Sequence, residues 1–246
     1  MASSPAVLFP LTLPALLTHV LATQSATAPT TLVVCSSRAA FLQNLERALQ
    51  HQQGGEAASL RQLTAPTLHN LFTARHVHVA FCASVQALLA YLTAYGGPGA
   101  KQGIGEREGE ERLVLVNPLR LHAPTPSFSA QGLSRSFAAA VETALRAGTK
   151  LQMVECVGAG TETRLDDEDD EADALMRSGD GGSQAEAEEE DPWEQDVSIL
   201  NVSAKKFGHG GSDRAWAGRT IKVKRIASRW FGFHNIAGLR GGDGAG

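Results

Sequence analysis

Short aliphatic runs alternate with helix-period segments along most of this chain. Thr31-Leu32-Val33-Val34-Cys35 reads as a buried strand, being short, β-rich and bounded by turn residues. Ser36 and Ser37 then offer a helix N-cap, and Phe41, Leu42, Leu45, Ala48 and Leu49 recur at helical spacing as far as Gln52-Gln53-Gly54-Gly55. Beyond Pro66, Leu68, Leu71 and Phe72 predict a helix, and Val77–Cys82 predicts the next strand. Val85, Leu88, Leu89 and Leu92 share one face of a helix over Val85–Tyr95, which Gly96-Gly97-Pro98-Gly99 stops. Leu113-Val114-Leu115-Val116 is the most hydrophobic strand and is expected at the sheet centre. A linker with Pro124 and Pro126 leads to a helix over Leu133–Arg146, carried by Leu133, Phe137, Val141 and Leu145, and Leu151–Val157 is a further strand. Strands and helices alternating at these lengths predict an α/β fold, a mostly parallel sheet covered by helices.

The two ends of the chain depart from this rhythm. Leu13–Leu21 predicts a short helix with Pro14 in its first turn. The apolar stretch Ala6–Ala22 ahead of Ser25-Ala26-Thr27-Ala28 has the outline of a signal peptide. It lacks a basic leading region, and Pro10 and Pro14 interrupt it, which favours a packed helix. Residues 97–111, rich in Gly and Glu, predict a mobile loop. Near the C-terminus, Val197–Val202 and Arg219–Ile226 are expected as antiparallel neighbours joined through Gly208–Gly211. The organisation expected is an α/β core over 1–157, a disordered acidic insertion over 158–192, a C-terminal β segment over 193–235 completing the same domain, and a flexible tail over 236–246.

Composition narrows the class. At 246 residues and 43% hydrophobic, the chain can bury one real core. It has no run of about 18 apolar residues, so no membrane span is expected. Three widely spaced cysteines, Cys35, Cys82 and Cys156, each in an aliphatic stretch, predict buried reduced thiols and a reducing compartment, nucleus or cytoplasm. The net charge of −4 conceals two opposed blocks: residues 162–196 carry 16 acidic and 2 basic side chains, and residues 197–246 carry 9 basic and 2 acidic.

Candidate chemistry is sparse. None of the six lysines precedes Ser or Thr, so Gly-Lys-Ser/Thr phosphate loops are absent from the sequence. Gly158-Ala159-Gly160 follows a strand, but Thr163 stands where a dinucleotide fingerprint needs glycine and an acidic run follows, so no cofactor is expected. His76, His78 and Cys82 share a strand face by the period of two, yet match no closed zinc pattern, so no metal is assigned. No Gly-x-Ser-x-Gly elbow occurs, and no catalytic residue is assigned.

The strongest candidate is the basic C-terminal block. Lys205, Lys206, Arg214, Arg219, Lys222, Lys224, Arg225 and Arg229, with Trp230, offer cations and a ring for a phosphate backbone and its bases. Lys222 and Lys224 alternate with Ile221 and Val223, which as a strand places both on one face. The competing reading is a solvated outer face with lysines blunting an edge strand. The acidic block reads either as a solubilising loop or as a shield that nucleic acid displaces.

The strand Thr31–Cys35 with its polar exit into Phe41-Leu42, the strand Val77–Cys82 with its helix, the central Leu113-Val114-Leu115-Val116-Asn117 and the closing segment Ser198–Phe233 together resemble the RecA-type recombinase core. In that family the central strand ends in an acidic residue that helps hold magnesium. Asn117 stands there in this chain, and Pro10-Leu11-Thr12-Leu13-Pro14 replaces the phosphate loop. The resemblance implies a RecA-like fold without ATPase activity. It is similar in kind to the paralogues of the Shu complex that assist homologous recombination in the nucleus, with another RecA-like paralogue and DNA as partners and no small-molecule substrate. The RecA-like accessory subunits of the Elongator tRNA-modification complex fit the same outline. A third class, an α/β enzyme, would be tested first at His76, His78 and Cys82.

Overall fold

The computed structural model describes residues 4–25, 28–51, 65, 67–96, 111–158, 191–199 and 219–236. Six strands build one sheet: β1 (Ala6–Thr12), β2 (Thr30–Val34), β3 (Val77–Phe81), β4 (Arg112–Val116), β5 (Lys150–Val157) and β8 (Gly232–Asn235). Their order is β3-β2-β4-β5-β1-β8, and every pairing is parallel. A separate antiparallel pair, β6 (Asp196–Ser198) and β7 (Thr220–Lys222), stands beside it. The helices are α1 (Leu13–Ala22), α2 (Arg38–His51), α3 (Leu68–Ala74), α4 (Val85–Ala94), α5 (Pro118–His122), α6 (Ala130–Ala147) and α7 (Val223–Ala227).

The period of two in β4 divides the core. Leu113 and Leu115 enter a cluster with Leu88, Leu92, Leu133, Phe137, Val223 and Ile226, so α4, α6 and α7 cover that face. Val114 and Val116 enter a second cluster with Leu13, Leu16, Val20 and, at its margin, Phe41 and Leu45, so α1 and α2 cover the other. A strand apolar on both sides needs helices on both faces, as the alternating sequence predicts. β4 lies inside the sheet between β2 and β5. Full burial of Phe137, Leu133 and Met153 contributes roughly 1.5–3 kcal/mol per side chain before entropy is charged. Caps expected from sequence are present: Ser37 Oγ accepts the Ala40 N–H at 3.1 Å at the start of α2.

Four elements differ from expectation. Ala6–Thr12 is an interior strand between β5 and β8. Such a strand is apolar on both faces, so periodicity cannot separate it from the helix that follows. Pro10 lies where the β1–β5 register shifts between Leu8 and Leu11, a place where its missing N–H breaks no regular ladder. Pro118–His122 forms α5 where only a linker was expected. The closing segment is mixed rather than β-rich: Val223–Ala227 is helical, burying Val223, Ile226 and Ala227 at helical spacing, and Gly232–Asn235 joins the main sheet beside β1. The expected acidic insertion and the loop at 97–111 lie largely outside the described residues, as does the tail beyond Ile236.

Candidate nucleic-acid interface

The basic face is built on a small platform tied to the core at three points. Trp193 is buried, its ring edge-on to Phe233 at 5.3 Å between centroids. Phe231 is buried against Phe137 at 5.7 Å. β8 is stitched to β1, with the Gly232 N–H donating to the Pro5 carbonyl and the Ile236 N–H to the Phe9 carbonyl. Between these anchors β6 and β7 pair Asp196 with Lys222, Val197 with Ile221 and Ser198 with Thr220.

Lys222 and Lys224 do not share a strand face as expected, because Val223 begins α7. They converge on one group instead. Lys222 Nζ lies 2.8 Å from Glu194 Oε2, and Lys224 Nζ lies 2.9 Å from Glu194 Oε1. The two ammonium groups hold the solvent-facing Glu194 carboxyl far below the ordinary range, at about 2. Lys224 also passes over the Phe233 ring at 5.9 Å. Arg219, Arg225 and Arg229 are exposed. Arg225 and Arg229 are four residues apart across α7 and its closing turn, on the side away from buried Val223 and Ile226. Trp230 is half-buried, edge-on to Phe137 at 6.2 Å, so much of its ring serves the core. Lys205, Lys206 and Arg214 lie outside the described residues. Sequence reasoning missed Glu194; its signal was a carboxylate directly after Trp193, where the acidic run gives way to strand-forming residues.

The carboxyl ends of the strands form the other place where chemistry would be sought in a parallel sheet. There β1 passes directly into α1. Thr12 ends the strand and caps the helix, its Oγ1 accepting the Ala15 N–H at 3.2 Å, while Pro14 has no N–H to offer. The first turn is packed rather than open, with Leu13, Pro14 and Ala15 buried. Asn117 follows β4 in the left-handed region at φ 58°, and its Oδ1 accepts the Cys156 N–H at 2.7 Å. Glu155, buried at 4% exposure, accepts the Leu119 and Arg120 N–H groups at the start of α5. Burial outweighs those hydrogen bonds and the nearby Arg120 charge, raising its carboxyl to about 8.

His122 and Ser136 form a histidine–hydroxyl pair: Nε2 lies 2.9 Å from Ser136 Oγ, and Nδ1 lies 2.7 Å from the Pro118 carbonyl oxygen. Nδ1–H donation to that carbonyl leaves Nε2 to accept from the hydroxyl. At 0% exposure for His122 and 3% for Ser136 the pair is sealed in the core, where it ties α5 to α6. His78 is exposed and Cys82 buried, and among the described residues no group of three His, Cys, Asp or Glu side chains is placed to hold a metal ion. Cys35, Cys82 and Cys156 are all free and buried, and burial raises each thiol above its ordinary range. No described helix is long and apolar enough to cross a membrane.

The edge strand β3 is the remaining exposed feature. The His76 carbonyl accepts from Thr30 and the Cys82 N–H donates to Val34, so even-numbered residues bond to β2. Val77, Val79 and Phe81 therefore turn their N–H and C=O groups outward. Val79 is 49% and Phe81 37% exposed, with the Phe81 ring edge-on to Phe41 at 5.7 Å and the Phe72 ring edge-on to His76 at 5.4 Å. No protein-family model matches this chain, and no curated protein matches it.

Proposed function

We propose that this chain is a non-catalytic, RecA-like subunit of a nuclear complex that assists homologous recombination, pairing with a RecA-like paralogue and contacting DNA through its C-terminal cations. The observation that carries this reading is the β1–α1 junction. A nucleotide-binding sheet places a loop of free N–H groups between its first strand and helix. Here the junction is Thr12 alone, its side chain spent on capping Ala15, and Pro14, two residues on, has no N–H to offer. Asn117 supports the same reading, since its side chain is committed to the Cys156 N–H where the resembled family uses a metal-holding carboxylate. The outward hydrogen-bonding groups and half-exposed side chains of β3 supply an edge for a partner subunit. Arg219, Arg225 and Arg229 supply exposed cations on a segment, residues 219–236, that contains no carboxylate.

The test is titration of labelled single-stranded DNA, duplex DNA and tRNA with the purified chain across salt concentrations. Wild type binds DNA with affinity falling steeply as salt rises, and Arg225→Glu with Arg229→Glu weakens it at least about tenfold and lowers the salt slope by roughly two. An unchanged affinity in the double variant removes these arginines from the interface. Tighter binding to tRNA than to DNA moves the protein to the tRNA-modification class.

A further inference from the structure

The pairing of one carboxylate with two lysines defines more than a surface salt bridge. Its two oxygens are divided between two donors, Oε2 to Lys222 at 2.8 Å and Oε1 to Lys224 at 2.9 Å. Two oxygens of one anion shared between two ammonium groups is also how a pair of lysines grips a phosphodiester. The clamp is set by backbone on both sides of Glu194. The Trp193 carbonyl accepts the Lys224 N–H at 2.8 Å, and the Gln195 carbonyl accepts the Val223 N–H at 3.0 Å. The turn that presents Glu194 is fixed in turn by Asp191, whose carbonyl accepts the Glu194 N–H at 2.9 Å and whose Oδ1 accepts the Trp193 N–H at 3.0 Å. With Trp193 buried, the carboxylate does not wander onto the lysines by chance of rotamer; its backbone is anchored opposite them.

We propose that Lys222 and Lys224 form a two-pronged seat for a nucleic-acid phosphate, and that Glu194 occupies this seat as a tethered competitor which binding must displace. The proposal rests on the reading of the C-terminal block as a DNA-contacting face. All three side chains keep substantial exposure, 54% for Lys222, 46% for Lys224 and 37% for Glu194, so an incoming phosphate reaches the seat without opening the core. Exchange of one anion for another preserves both ammonium contacts. The cost is the loss of two exposed ion pairs as Glu194 is released to water, which sets the competition at roughly tenfold. The exposed Arg225 and Arg229 continue the cationic surface beyond Lys224, so a strand seated on the lysines finds further phosphate partners. The competitor makes affinity for short or weakly held strands lower than the count of cations implies, and favours ligands that engage several sites at once.

The experiment compares wild type, Glu194→Gln, Lys222→Gln/Lys224→Gln and the triple variant, using labelled single-stranded DNA between roughly 50 and 200 mM salt. Thermal melting confirms that each variant folds. Glu194→Gln keeps the size of the side chain and removes the competing anion from both ammonium groups. It is expected to bind about tenfold more tightly at low salt, with a slope steeper by one to two. The lysine double variant binds more weakly than wild type, and the triple variant loses the gain. Wild type that binds DNA while Glu194→Gln binds equally or less tightly overturns the competitor. A gain that survives in the triple variant overturns the seat. Failure of every protein, Glu194→Gln included, to bind at the lowest salt overturns the DNA-contacting reading itself.

Discussion

Glu155 shows how a single residue can be both a structural cap and a liability. It sits between two thiols and an arginine, with Cys35 and Cys156 raised partly by its charge and Arg120 drawing it toward ionisation. Its folded value near 8 stands above the ordinary 4.5, so the folded chain keeps a proton that the unfolded chain has released. The contribution of Glu155 to stability is therefore fully present below about pH 4.5, falls as pH rises through this window and is lost above about 8. Wild type is expected to lose melting temperature between pH 5 and 8, by an amount on the order of 4 kcal/mol in stability. Glu155→Gln, which still accepts one N–H of α5, should flatten the profile; a wild-type melting temperature constant over this range would refute the assignment. Asn117 carries a second residue-scale expectation. Asn117→Ala loses the bond to Cys156 and forces alanine into the left-handed region, costing about 2–3 kcal/mol, whereas Asn117→Gly loses only the bond, about 1 kcal/mol, by denaturant midpoints.

Among the elements, the edge strand β3 and the long helix α6 mark two extremes. α6 is secured throughout. Ser129 caps its start through the Gly132 N–H, Gly148 ends it at φ 64°, and Arg146 reaches across to the Leu92, Thr93 and Tyr95 carbonyls that close α4. β3 is secured on one side only, with Val79 half exposed beside an outward row of backbone groups. Val79→Lys is expected to shift stability by less than about 1 kcal/mol. It should still suppress self-association at high protein concentration, because a lysine on an edge opposes strand addition. Light scattering against concentration checks this; equal scattering from the two proteins would mean that β3 is not a pairing edge.

For the whole molecule, electrostatics and connectivity meet at the C-terminus. Residues that are remote in sequence, Pro5 and Phe9 at one end and Gly232 and Ile236 at the other, join β8 to β1 and fix the basic platform to the sheet. The salt dependence expected for Arg225 and Arg229 belongs to this scale, because the field of the platform adds five cations of residues 219–236 and subtracts Asp191, Glu194 and Asp196. Loss of the platform's attachment would alter affinity at every salt concentration, whereas removing individual cations changes the slope.

The sequence by itself determined the alternation of β2, α2, β3, α4, β4, α6 and β5. Each of these carries an apolar stripe or run whose period is local and can be counted along the chain, although β3 and α2 bury theirs only in part. It also exposed the missing Gly-Lys-Ser/Thr and the basic C-terminal block, since composition needs no coordinates. Tertiary structure alone decided that Ala6–Thr12 is an interior strand, that Val223–Ala227 winds into a helix, and that Gly232–Asn235 joins β1. Short segments lack a period long enough to choose between strand and helix, so their neighbours choose for them. The same holds for Glu194. Its charge was visible, but only the pairing of β6 with β7 and the turn into α7 set it between Lys222 and Lys224, because a contact across 28 and 30 residues is a property of packing, not of pattern.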